Sequence, residues 1–255
     1  MIGRAALLTR VLAASARPLT LAELTDATAL PRATVHRIAR QLADEGVITV
    51  SNDRYALSLR LFSIAGSIPA WRVLRPVVTP VLLDLKHQVP FPVHFGARSG
   101  THVLLLEKLT NAEVMPWPTH IGDRFPPHVT GLGQAILAWS STDMVRAVAS
   151  AGLPAQTPYT LTTMDGLLSR LQQIRREGCA VVGEESSRGL TCIAAPVFSH
   201  DRLAVMALSV MTPGSRHRRH DRRISAKVMA AADDLSRAIN ASPSAVRAAA
   251  TLLTD

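Results

Sequence analysis

Three arginines and a histidine crowd one stretch near the N-terminus, Pro31-Arg32-Ala33-Thr34-Val35-His36-Arg37-Ile38-Ala39-Arg40-Gln41-Leu42. On a helix, Val35, Ile38, Ala39 and Leu42 share one face, while Arg32, Ala33, His36, Arg37 and Arg40 take the other. A guanidinium fork pairs with both acceptors of a guanine edge, or with a phosphate, so such a face suits the major groove of DNA. A solvated arginine-rich helix in any small bundle would show the same pattern. The elements around it must decide between the two.

Other groups could in principle do covalent chemistry. Cys192, in Leu190-Thr191-Cys192-Ile193-Ala194, would serve as a nucleophile or redox thiol only with a nearby base and a lowered pKa. His94, His120, His128 and His200 are candidate bases, yet no spacing ties any of them to Cys192. A small buried hydrophobe is the commoner fate of a lone cysteine. Glu184 and Glu185 are adjacent, and neighbours on a strand point to opposite faces, which argues against a shared acid-base site. His217-Arg218-Arg219-His220 has two histidines at a metal-binding spacing, but it lies in the basic run Arg216 to Arg223, which repels cations and suits a solvated loop. No catalytic residue, metal site or cofactor is expected.

Composition agrees with a nucleic-acid partner. The chain has 255 residues and a formal net charge of +9, with lysine only at Lys86, Lys108 and Lys227. A basic balance favours polyanions, and a membrane surface is the other partner it would suit. The apolar fraction of 47% is enough for a sizeable core. Cys179 and Cys192 have no disulfide or zinc spacing, as expected in a reducing compartment. Arg10 interrupts the N-terminal apolar run, so a signal peptide is not expected. No apolar stretch reaches the ~18 residues of a membrane span. A cytoplasmic protein without membrane association is expected.

The flanking elements then decide for DNA. Ile2 to Ala14 has helical spacing, with Ala6, Leu7, Val11 and Leu12 as its apolar stripe. Thr20 and Glu23 form a capping box for a short helix to about Thr28. Ala29-Leu30 makes a turn, and Pro31 opens the arginine helix, which Gly46 ends. Val47 to Val50 and Arg54 to Leu57 are two strands around Ser51-Asn52-Asp53. Three short helices followed by a hairpin make a winged helix-turn-helix. Its expected DNA surface is Arg32, Ala33, Thr34, His36, Arg37 and Arg40, with Arg54 on the wing touching phosphate. A pure protein-interaction module would leave that face unused.

The segment RPLTLAELTDATALPRATVHRIARQLADEGVITVSNDRYALSLRL resembles the IclR family of transcription regulators, as do GDRFPPHVTGLGQAILAW and GCAVVGEESSRGLTCIAAPVF further on. The resemblance implies an α+β chain: a winged helix-turn-helix at 1–57, a linker helix at 58–69, a GAF-like effector-binding domain at 70–241 and a tail at 242–255. It further implies a homodimer or a dimer of dimers, double-stranded DNA with a near-palindromic operator, and control by a small-molecule effector. Ala29 departs from the family, which commonly has Gly in this turn. If the turn needs positive φ, Ala there costs on the order of 1 kcal/mol.

By the same resemblance the effector pocket draws on Thr130, Gly131 and Leu132, on Val182 and Cys192, and on Ser209 and Met211. Thr130 can cap a helix whose free N–H groups, from Leu132, Gly133 and Gln134, could hold a carboxylate. Gly131 and Gly133 could equally exist for close packing. Gln134, Val182 and Met211 stand where many or some members have Lys, Asp and Ser. Each change removes polarity, so the expected effector is a fairly apolar or aromatic acid rather than a two-carbon one. A vestigial pocket, with ligand-independent regulation, is the alternative.

The remaining elements are expected as follows. Leu57 to Ile68 is the linker helix, which Pro69 breaks, and Trp71 to Val89 is helical despite Pro76 and Pro80. Strands fall at Val93–Ala97, Thr101–Leu109, Ala180–Val182, Thr191–Val197 and Leu203–Met211, the last two joined through His200-Asp201-Arg202. Helices fall at Gly131–Trp139, around Met144-Val145, at Leu167–Arg176 and at Ile224–Asn240. The end beyond Ser242 is expected to fray.

Overall fold

Capping, turn chemistry and strand alternation decide where each element of the chain begins and which face it buries. The computed structural model describes residues 1–110, 119–200, 203–214 and 217–252, with the backbone alone for 217–221. They divide into two compact units, 1–68 and 69 onward.

In the first unit, α1 (Ile2–Ala14) buries Leu8 and Leu12. The buried stripe is thus Leu8 and Leu12, flanked by half-buried Leu7 and Val11, and Ala6 lies outside it on the exposed face. A short strand not foreseen from sequence, β1 (Leu19–Thr20), leads into α2 (Leu21–Thr28). The capping box is present: Glu23 N–H donates to Thr20 Oγ1 at 3.3 Å, and Thr20 N–H donates to Glu23 Oε2 at 2.7 Å. Ala29 has φ 52°, the left-handed conformation suspected from the turn. α3 (Arg32–Asp44) follows, starting one residue after Pro31. β2 (Ile48–Ser51) and β3 (Arg54–Leu57) form the wing, with β3 between β1 and β2. Asn52 and Asp53 both have positive φ, as a two-residue hairpin turn matching strand twist requires. Leu8, Leu12, Leu24, Val35, Ala39 and Ile48 form the core of this unit.

α4 (Arg60–Gly66) is shorter than the expected 57–68 helix. Leu57 stays in β3, paired with Ile48, and the Ser58 hydroxyl accepts from Arg60 N–H where the helix begins. The break expected at Pro69 is present: α4 stops at Gly66, and Pro69 opens α5 (Pro69–Gln88), where its missing N–H has no intrahelical acceptor to lose.

The second unit is an antiparallel sheet between two helical layers. Its strands are β4 (Val93–Ser99), β5 (His102–Leu109), β6 (Arg124–Phe125), β7 (Ala180–Gly183), β8 (Leu190–Phe198) and β9 (Ala204–Pro213). The order is β6-β5-β4-β9-β8-β7. Period-two alternation sends Met206, Leu208 and Val210 of β9 to one face, with Val93 and Phe95 of β4 and Ile193 of β8. That face meets α5 and α9 (His217–Asn240). The other face, with Leu105, Cys192, Ala207 and Met211, meets α6 (Gly131–Ala138), α7 (Thr142–Ser150) and α8 (Met164–Glu177).

Two expectations near the C-terminus need correction. The Arg216–Arg223 run is helical from His217, as the first turns of α9 rather than a loop; Arg216 and the side chains of 217–221 lie outside the described residues, as do Asp201 and Arg202 of the β8–β9 connection. The expected tail contains α10 (Pro243–Thr251), capped by Ser242 and burying Ala245, Ala248 and Ala249 in the α5–α9 core. Alanine is a strong helix former with a small face that fits closely against a neighbouring helix, so this segment packs instead of fraying.

Ala29→Gly should raise unfolding stability by about 0.5–1 kcal/mol, since glycine holds the left-handed conformation without a Cβ clash. Denaturant unfolding checks it; an unchanged or lowered midpoint would mean that the turn is not strained.

Candidate nucleic-acid interface and ligand cavity

The surface expected to meet DNA is set by the helical repeat of α3. Val35, Ile38 and Ala39 are buried, which leaves Arg32, Ala33, His36, Arg37 and Arg40 exposed and Thr34 half-buried. No ion pair or hydrogen bond engages the Arg32, Arg37 or Arg40 side chain among the described residues. Arg54 differs. Its Nη1 donates to Pro18 O at 3.2 Å and lies 3.9 Å from Glu23 Oε2. Glu23 also receives Arg17 Nη2 at 2.5 Å. The hydrogen bond from Arg17, followed by those from Thr20, lowers the Glu23 carboxyl to about 2. The wing arginine is thus folded back toward the start of α2.

A cavity of about 260 Å³ lies between α6 and its side of the sheet. Leu105, Phe125, Leu132, Leu190 and Met211 line it with apolar surface, and Thr119, Thr130, Gln156, Ser186 and Ser187 contribute polar groups. Cys192, Ser209, His94 and Gly131 complete the wall. A larger cleft of about 710 Å³ beside Lys86, His87 and Lys108 is more open to solvent.

Six of the seven residues expected at the pocket do line this cavity: Thr130, Gly131, Leu132, Cys192, Ser209 and Met211. Val182 does not. It is paired with Cys192 across β7–β8 and packs into the apolar cluster of α6 and α8. The expected row of free N–H groups is also shorter. Thr130 Oγ1 accepts from Gly133 N–H at 3.1 Å, and Thr130 O accepts from Gln134 N–H at 2.9 Å. Of that row only the Leu132 N–H remains, with that of Gly131 before it, where the start of α6 packs against Cys192. Both glycines are needed for close approach: a Cβ on Gly131 would lie 2.5 Å from Cys192 Sγ, and one on Gly133 2.3 Å from Pro127 O.

Gln134 turns away from the cavity. Its amide Nε2 donates to His128 O and to Glu185 Oε2, both at 2.7 Å. Arg170 Nη1 donates to Glu185 Oε1 at 2.8 Å. Glu185 is almost wholly buried, and burial raises its pKa against the opposing pull of Arg170. Glu184 and Glu185 are not strand neighbours, because β7 ends at Gly183 and Glu184 has φ 58°. Glu184 Oε1 accepts from Gly189 N–H at 2.5 Å, while Thr160 donates to Glu185 O at 2.7 Å. These bonds fix the strap that carries Ser186 and Ser187 over the cavity.

Among the described residues, three buried polar atoms at the cavity have no hydrogen-bond partner: His94 Nε2, Ser209 Oγ and Thr119 Oγ1. Ser209 lies beside Cys192, near enough to favour its thiolate slightly, but without a bond of ordinary geometry. Burial is the larger effect and pushes the Cys192 thiol up. Burial first, then the charge of Lys108, lowers His94 to about 4. His94 had a sequence signal that went unused, a polar residue within the buried strand Val93-His94-Phe95. Thr119 and Gln156 had none, because they reach the cavity from loops.

Comparison with known proteins places this geometry. The model of the bacterial transcriptional regulator IclR C-terminal domain matches residues 72–237, and that of the IclR helix-turn-helix domain matches residues 2–51. The chain belongs to the IclR family. It is a two-domain DNA-binding transcriptional regulator of the α+β, GAF-like type. The regulator is 28% identical over 208 residues to the HTH-type transcriptional regulator XynR of Escherichia coli (strain K12), covering 79% of this chain and 81% of that one. To the transcriptional repressor IclR of the same strain it is 28% identical over 201 residues, covering 77% and 73%. Its fold resembles that of an IclR homolog from Microbacterium hydrocarbonoxydans complexed with 4-hydroxybenzoate, at 24% identity and a TM-score of 0.82, covering 94% of this chain and 99% of that one. The Thermotoga maritima IclR is similar at 19% identity and a TM-score of 0.78, covering 94% and 98%.

The His94 shift has a signed consequence for the regulator. The unfolded chain takes up this proton below about 6.5, whereas the folded chain holds the ring neutral down to about 4. His94 therefore costs stability progressively as pH falls through that window, by up to about 3 kcal/mol. Glu185 acts in the opposite sense, so the comparison must be with a variant. The stability of His94→Leu relative to the native chain should rise as pH falls from about 7 to 4.5. A constant gap would mean that His94 titrates normally.

Proposed function

We propose that the regulator binds a near-palindromic operator as a homodimer or a dimer of dimers, and that a compact, largely apolar organic acid in the cavity sets its DNA-binding state. The observation that carries the effector reading is the cavity itself, enclosed by apolar side chains yet holding polar atoms with no partner among the described residues. Buried polar groups are left unpaired at a cost, and a ligand that pairs them recovers it. A volume of about 260 Å³ suits a small molecule. The Gly131 and Leu132 N–H groups, at the positive end of α6, face only a neutral thiol, which is a weak acceptor. They are the best-placed donors for a carboxylate. The related protein complexed with 4-hydroxybenzoate supports an aromatic acid.

Arg32, Thr34, His36, Arg37 and Arg40 are assigned to the major groove, with Ala33 allowing close approach. Arg54 is assigned to phosphate. Self-association is supported by α4, which buries no residue within its own unit while Phe62 and Ile64 are 73% and 64% exposed. An operator-binding role would put the regulator in the cytoplasm, and the reading calls for neither a membrane nor a cofactor. No catalytic role is assigned to Cys192, because burial favours its thiol over the nucleophilic thiolate.

Selection of bound fragments from genomic DNA at physiological salt should enrich one short inverted repeat. Enrichment without sequence preference would overturn specific recognition in the ligand-free state. Arg37→Ala should cost about 1–3 kcal/mol at that repeat and much less on random DNA; an unchanged affinity would remove Arg37 from base recognition. Phe62→Glu should lower the sedimentation mass toward the monomer and weaken operator binding. A thermal-shift screen should favour larger apolar acids over two-carbon acids. A response to the two-carbon acids alone would overturn the ligand class, and no response to any acid would favour a vestigial pocket.

A further inference from the structure

The polar atoms of the cavity are not scattered. β8, β9 and β4 are neighbouring strands, and their side chains on the cavity face come in order: Cys192, Ser209, His94. Ser209 and His94 are direct register partners on β9 and β4. The α6 N-terminus, with its Gly131 and Leu132 N–H groups, sits over β8, where Gly131 packs against Cys192. The cavity therefore has two polar ends. One is the helix terminus over β8, built from N–H donors and suited to an anion. The other, on β9 and β4, is built from uncharged groups.

That second end has a specific chemical demand. His94 is 3% exposed and Ser209 fully buried, and neither His94 Nε2 nor Ser209 Oγ has a partner among the described residues. None of the described residues lining the cavity is Lys, Arg, Asp or Glu; the positive charge that His94 feels is that of its register partner Lys108, whose Nζ is already engaged with Thr119 O at 2.7 Å. A neutral imidazole nitrogen donates in one tautomer and accepts in the other, and a serine hydroxyl does both. A hydroxyl group answers either arrangement, since it donates and accepts through one oxygen. From β8 to β4 is two strand spacings, roughly 10 Å. A single six-membered ring with opposed substituents and a hydrogen bond at each end has about that reach.

We propose that His94, with Ser209 beside it, is the specificity-determining residue of the cavity and selects effectors that carry a hydroxyl group remote from their carboxylate. The proposal rests on the effector reading of the cavity given above. Apolar walls at Leu105, Phe125 and Met211 hold the ring or chain between the two polar ends. An effector without the hydroxyl leaves His94 and Ser209 dry and unpaired, and is rejected for that reason.

The test uses the full-length protein and matched acids: benzoate with 3- and 4-hydroxybenzoate, and hexanoate with 6-hydroxyhexanoate. Calorimetric titration should show at least one hydroxylated acid binding roughly tenfold or more tightly than its parent. His94→Leu should bring that ratio close to one, mainly by weakening the hydroxylated acid, and His94→Gln should restore part of it. In the native protein, the ¹⁵N resonance of His94 Nε2 should move with the hydroxylated acid and not with its parent, a readout that needs no variant to fold. Binding without preference, a preference that survives His94→Leu, or an unmoved His94 resonance would each overturn the assignment and leave the cavity as an effector site. No binding by any acid would overturn the effector reading, and this proposal with it.

Discussion

Strand β9 is buried on both faces along nearly its whole length, and the architecture of the second unit follows from that. A strand with water on neither side must send alternate residues into two separate cores. Met206, Leu208 and Val210 meet α5 and α9. Ala207, Ser209 and Met211 face the α6 side, where the packing is incomplete and the cavity opens. Ser209 cannot leave that face without a register slip that would drive Leu208 and Val210 out of their core. The same constraint fixes His94 on β4 and Cys192 on β8 through their pairing. The chemistry of the cavity is thus held in place by the apolar packing behind it.

Around the cavity, positions are secured by bonds that do not enter it. Gln134 joins the start of α6 to Glu185, and Arg170 anchors the same carboxylate from α8. Thr157 and Thr160 hold the backbone of Glu184 and Glu185. Removing one partner from this set would strand a buried carboxylate, which is costly compared with an exposed pair. The network gives the serine strap a fixed path over the ligand space while leaving its own side chains free to vary in contact with a ligand.

What the sequence could reveal depended on whether a residue's role was local. The Thr20–Glu23 cap, the left-handed turn at Ala29 and the two faces of α3 are each settled within a few residues, and each was legible. The three related segments made the family legible too, and with it six of the cavity residues. Val182 and Gln134 went astray because similarity gives a position, not a direction. One turned into the α6–α8 cluster and the other toward Glu185. His94 was named only as a candidate base, and Thr119 and Gln156 not at all, because strand pairing and loop placement bring them to the cavity from distant parts of the chain. The packed α10 was missed because its proline and alanines were read as a fraying end, although proline suits a first helical turn and alanine a helix interior.

The folded-back Arg54 bears on how the wing would exchange ions. Glu23, already held by Arg17 and by the cap of α2, also neutralises part of the Arg54 charge. This carboxylate is a counterion built into the chain. A phosphate that takes Arg54 displaces Glu23 rather than a salt ion from solution, and so contributes less to the entropy of counterion release than an arginine on α3. If these arginines meet phosphate as proposed, they would be unequal: those on α3 would set how steeply affinity falls with salt, whereas the wing arginine would trade one fixed anion for another.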